Sequence, residues 1–86
     1  MVYPNPSTGG VVQVLPPYYP GVSDVTLRVY TTAYRLVSVQ SWYGVAWGPL
    51  TMQLTDRRGA HLANGVYYVQ VVTATSRSLT KLMILR

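Results

Sequence analysis

Cysteine and glutamate are missing from the 86 residues, and phenylalanine is missing too. Without cysteine there can be no disulfide, no thiolate metal site and few redox roles. Without glutamate, the ordinary acid–base groups shrink to Asp24, Asp56 and His61. Asp24 borders a strand start and Asp56 opens a turn, so both read as turn formers that satisfy local backbone donors. His61 follows Gly59-Ala60 in an exposed connection and reads as a surface residue. No set of converging ligands for a metal is present. Gly9-Gly10 lacks the Lys-Ser/Thr and helix of a phosphate loop, and no serine sits in a nucleophile elbow. The expectation is a protein that is not an enzyme and needs no cofactor.

Charge is also scarce. Charged residues are 10% of the chain, against about 25% in an average globular protein. Much of the surface must therefore be neutral, which suits an extracellular or packed setting. Hydrophobic residues are 49%, which excludes disorder. The net charge of +5 comes from scattered residues, Arg28, Arg35, Arg57, Arg58, Arg77, Lys81 and Arg86. Arg57-Arg58 is the one adjacent pair, and Asp56 stands beside it. Nucleic-acid binders cluster their basic residues, so no nucleic-acid partner is expected; weak attraction to acidic glycans stays open. No stretch approaches the roughly 20 apolar residues of a membrane helix. The first residues lack the basic head and apolar run of a signal peptide, so an exported form is expected to be a mature chain or a fragment.

Tyr, Val and Thr dominate, and these favour strands, while Gly and Pro punctuate. Residues 1–10 read as an N-terminal arm whose Pro4 and Pro6 lack backbone donors, so it cannot be a central strand. Strands are expected over Val11–Leu15, Val25–Tyr30, Arg35–Ser41, Leu50–Leu54, Val66–Ala74 and Leu79–Leu85, with a brief extended piece at Ala60–Ala63. Val25, Leu27 and Val29 share one face, Val37 and Val39 turn inward, and Leu50, Met52 and Leu54 share a face. Thr31–Tyr34 and Thr75–Ser78 are turns, Trp42–Pro49 is an aromatic loop, and Asn64-Gly65 carries a hairpin signal. Turns every eight to twelve residues give the rhythm of a β-sandwich in one domain, 1–86. A domain this small buries only about 60–65% of its unfolded surface. The final strands are apolar on two faces: Leu82 and Ile84 on one side of the last, Leu79, Met83 and Leu85 on the other. Loops, a parent domain or copies of the chain must shield the second face.

Three segments together resemble a known pattern. Val2-Tyr3-Pro4-Asn5-Pro6 looks like the opening of C-terminal immunoglobulin-like domains on secreted bacterial proteins. Two overlapping groups share it: the domain of the flagellar hook-cap protein type, and the type A sorting domain of the type IX secretion system. Val25–Tyr30 resembles the second strand of the family. Asp56–Val69 resembles its D-x-x-G-x-x-V-A-x-G-x-Y block, in the hook-cap form above all, and Lys81–Arg86 its terminal strand. Thr31-Thr32-Ala33-Tyr34 departs from the pattern, standing where the family places Asp and Gly, and Met52-Gln53 stands where it often has Trp-Asp. The resemblance implies an all-β, immunoglobulin-like antiparallel β-sandwich of about seven short strands.

It also implies a non-catalytic module for export, sorting and surface attachment of a larger protein, placed outside the cell or on its surface. Its partner would be the secretion machinery. Recognition is expected at Pro4, Asn5, Pro6, Gly65, Tyr67, Lys81, Met83 and Leu85. Two alternatives stand beside it. One is a self-associating filament or surface-layer subunit, whose arm docks on a neighbour's open edge. The other is a carbohydrate-binding module that stacks a glycan on Trp42, Tyr43 and Trp47, unless those aromatics simply cap the sandwich.

Overall fold

Val12 and Val14 are buried while Val11 is exposed, and the same period of two buries Val25, Leu27 and Val29. Successive side chains of a strand point to opposite faces, so each such segment offers one apolar face. A computed structural model describes residues 1–5 and 7–86. It has seven strands: β1 (Val2–Tyr3), β2 (Val11–Val14), β3 (Val22–Thr31), β4 (Leu36–Ala46), β5 (Leu50–Gln53), β6 (Gly65–Val72) and β7 (Arg77–Ile84). They form two antiparallel sheets, β1-β2-β5 and β4-β3-β6-β7. The small sheet contributes Val2, Val12, Val14 and Met52 to the core, and Leu54 follows directly after β5. The large sheet contributes Val25, Leu27, Val29, Val69, Val71, Leu82 and Ile84. Tyr19, from the β2–β3 loop, fills the core where no phenylalanine is available; its hydroxyl donates to Val45 O at 3.0 Å, as a buried tyrosine requires.

The all-β expectation and the faces of β3, β5 and β7 hold. Several details differ. β4 runs on to Ala46, so Trp42 and Tyr43 lie in a strand and not in a loop. Val39 faces outward, 42% exposed, because Val29 pairs with Ser38 and Tyr30 with Leu36. Val37 is the extra residue of that bulge. It packs on the core and reverses the alternation that follows, since a one-residue slip exchanges faces. A second bulge sets Tyr43 and Gly44 against Asp24. Gly44 adopts φ 60° there and donates its N–H to Asp24 Oδ1 at 2.9 Å.

Asn64-Gly65 is not a hairpin turn. It ends the crossover from one sheet to the other, and Gly65 opens β6 opposite Ile84. The β6–β7 turn comes two residues earlier than expected, closed by Thr73 Oγ1, which accepts the N–H of Ser76 at 3.1 Å. The arm enters a sheet as edge strand β1, which ends before Pro4, so that proline breaks no ladder.

Candidate functional site

The arm joins both sheets. Val2 and Tyr3 pair with Val14 and Gln13 in the small sheet. A few residues later, Ser7 pairs with the outer edge of β7: its N–H donates to Met83 O at 2.8 Å, and Leu85 N–H donates to Ser7 O at 2.9 Å. Between them the Asn5 amide acts like one more residue of a neighbouring strand. Its Nδ2 donates to Lys81 O at 2.8 Å and its Oδ1 accepts Met83 N–H at 3.0 Å. An unpaired strand edge invites other chains, and here Asn5 and Ser7 cover it from Lys81 to Leu85.

The end of the chain is tied in the same manner. The Asn64 amide accepts Arg86 N–H at 3.0 Å and donates to Arg86 O at 3.3 Å. The Arg86 guanidinium donates to Leu62 O at 2.6 Å and to Gly9 O at 3.4 Å.

The residues expected to carry recognition therefore gather around β6, β7 and the arm, and they divide by duty. Asn5 holds the arm. Tyr67 packs on the core and its hydroxyl donates to Ala63 O at 2.8 Å, the geometry of a tyrosine corner. Gly65, at φ 152°, starts β6 in a conformation that favours glycine. Pro4, Lys81, Met83 and Leu85 are exposed. Pro6 lies outside the described residues.

The three candidate aromatics do not form one platform. Trp42 is half-buried and packs on the core. Tyr43 stands out at 77% exposure. Trp47 Nε1 donates to Pro16 O at 2.9 Å, and its ring meets Tyr18 edge-on with centroids 5.5 Å apart.

A further grouping was not expected from sequence. Arg35, just before β4, and Leu36 and Val37 at its start meet Asp56, Arg57 and Arg58 from the turn after β5, around a cavity of 560 Å3. Tyr34, which precedes Arg35 in the chain, adopts φ 61° and stacks on Tyr68, centroids 5.2 Å apart and planes 8° from parallel. The signal available was the turn itself, where Tyr34 occupies the place of an expected glycine. Asp24 and Asp56 serve the backbone: Asp56 Oδ1 accepts the N–H groups of Arg58 at 2.8 Å and Ala60 at 3.0 Å. Among the described residues, no group of three or more His, Asp or Glu could hold a metal, and no helix is long and apolar enough to cross a membrane.

A family model described as "Secretion system C-terminal sorting domain" matches residues 1–85. No curated protein and no solved structure matches the chain significantly.

Proposed function

The chain belongs to the C-terminal sorting domains of type IX secretion, and from that premise we propose that β7, with the arm clipped to its edge, is the surface that the secretion machinery reads. Sorting domains of this family are non-catalytic signals of secreted proteins that engage that machinery. The finer steps are ours: this chain performs no catalysis, it directs a parent protein to the cell surface, and Pro4, Lys81, Met83 and Leu85 present the signal. The observation that carries this is the Asn5 amide bridging Lys81 O and Met83 N–H. It makes arm and terminal strand one unit, leaving Lys81, Met83 and Leu85 exposed. The three-on-four strand order and the tyrosine corner at Tyr67 support an immunoglobulin-like sandwich.

Deleting β7 would remove Leu82 and Ile84 from the core, so the test uses surface changes. A cargo fused to Lys81→Ala/Met83→Ser/Leu85→Ser is expected to be exported roughly tenfold less than with the native domain, while circular dichroism stays native. Unchanged export by the folded variant refutes the assignment.

Self-association is a second reading, supported by Leu79 and Leu85 at 53% and 49% exposure on the outer side of the terminal strand. Light scattering decides it, and a strict monomer at high concentration ends it. A glycan site has its best support in the open Tyr43 ring.

A further inference from the structure

Arg35 and the adjacent pair Arg57-Arg58, more than twenty residues apart in the chain, meet at one end of the sandwich. Arg35 follows the β3–β4 turn, and Arg57 and Arg58 follow β5; with Leu36, Val37 and Asp56 they line the 560 Å3 cavity. Three arginines and one aspartate among the lining residues give it an excess of two positive charges. That carboxylate is already engaged, since Asp56 Oδ1 accepts the backbone N–H groups of Arg58 and Ala60. Arg57 Nη2 donates to Leu36 O at 3.0 Å, which braces the two walls against each other. The backbone of Arg35 is fixed as well: its N–H donates to Thr31 Oγ1 at 3.2 Å and its carbonyl accepts Thr31 N–H at 2.9 Å. The cations thus stand on anchored backbone.

Tyr34 adds a second, independent observation. It is 64% exposed and keeps φ 61°, a region unfavourable for a bulky residue. Strained exposed residues of this kind concentrate at binding sites.

We propose that this groove receives an acidic segment of a protein partner, with two carboxylates against Arg35, Arg57 and Arg58 and a flanking apolar residue against Tyr34, Leu36 and Val37. Guanidinium forks match carboxylates in charge and geometry. The proposal deepens the sorting reading and rests on it for the partner being a protein. A polyanionic glycan would need basic residues along a track. Here the others are dispersed: Arg28 on β3, Arg77 and Lys81 on β7, and Arg86 bound to the Leu62 and Gly9 carbonyls.

The purified chain, titrated with N-acetylated hexaglutamate and followed by NMR, is expected to show saturable shifts centred on Arg35, Arg57 and Arg58 that weaken with salt. Arg35→Gln/Arg58→Gln spares the bracing Arg57 and is expected to weaken binding about tenfold. Asp56→Asn keeps the Oδ1 acceptor, removes the opposing charge and is expected to tighten binding about threefold. Absence of shifts, shifts shared equally with Arg28, Arg77 and Lys81, or tighter binding of a heparin fragment would each overturn the proposal. In cells, cargo fused to Arg35→Gln/Arg58→Gln is expected to lose export; full export by this variant overturns the groove's role in sorting. Failure of the native domain to export cargo refutes the sorting reading and with it the protein partner, and the titration then decides the anion site alone.

Discussion

The two edges of the large sheet are finished in different ways. At β7 a stretch of chain lies along the edge, and Asn5 and Ser7 take up backbone groups of Lys81, Met83 and Leu85. At β4 single side chains reach across instead. The Gln40 amide donates to Gln53 O at 2.8 Å and accepts Gln53 N–H at 3.1 Å, and Arg57 donates to Leu36 O. A covered edge excludes a further strand, whereas bridging side chains leave a groove between their anchor points. The closed edge offers side chains on a stable frame, and the bridged edge offers a cavity with uncompensated charge.

Removing residues 1–7 is the strongest way to break this contrast. It takes away the burial of Val2, the β1 pairing and four hydrogen bonds to Lys81, Met83 and Leu85. The expected loss is on the order of 4 kcal/mol, a large share of the roughly 5–15 kcal/mol that holds a small domain folded. Denaturant titration measures it. Concentration-dependent association is expected in the same variant, because the uncovered β7 edge becomes a template. A truncated chain of native stability would show that the arm covers the edge without supporting it.

A finer test separates side-chain from backbone contacts within the arm. Asn5→Ala leaves Lys81 O and Met83 N–H without their partners and is expected to cost about 1–2 kcal/mol. Ser7 contributes to β7 through its backbone, while its hydroxyl is buried with no hydrogen-bond partner among the described residues. Ser7→Ala keeps the pairing and removes a dehydrated hydroxyl, so it is expected to raise stability by about 0.5–1 kcal/mol. Opposite signs two positions apart would confirm that the arm is held in two distinct ways. Equal losses would contradict that.

Legibility in the sequence followed the same division. Strands with clean alternation were readable, as at Val25, Leu27 and Val29 or at Leu82 and Ile84, because one buried face enforces a period of two. Val39 was misread because the Val37 bulge shifts the period, and no local pattern marks a bulge that depends on its partner strand. Trp42 and Tyr43 were read as loop because glycine and aromatics surround them, while Gly44 is what lets β4 continue through its second bulge. The arm and terminal strand could be named from motifs, but the Asn5 bridge could not, since 76 residues separate Asn5 from Lys81. The arginine groove was hidden for the same reason. Arg57-Arg58 looked like one isolated pair until the fold brought Arg35 beside it.

The smallest expected effect concerns the turn beside that groove. Tyr34 holds φ 61° where glycine would fit without steric cost. The strain is about 1 kcal/mol, and stacking on Tyr68 offsets it by about 0.5–1.5 kcal/mol. Tyr34→Gly alone is therefore expected to change stability by less than about 0.5 kcal/mol. In a Tyr68→Ala background the stack is already lost, so the same change is expected to stabilise by about 1 kcal/mol, and the double-mutant cycle reads the coupling directly. A coupling near zero would mean that stacking does not hold Tyr34 in its strained conformation. The reason for a tyrosine there would then have to lie in what it contacts outside the chain, and hexaglutamate binding should weaken in Tyr34→Gly while stability stays level.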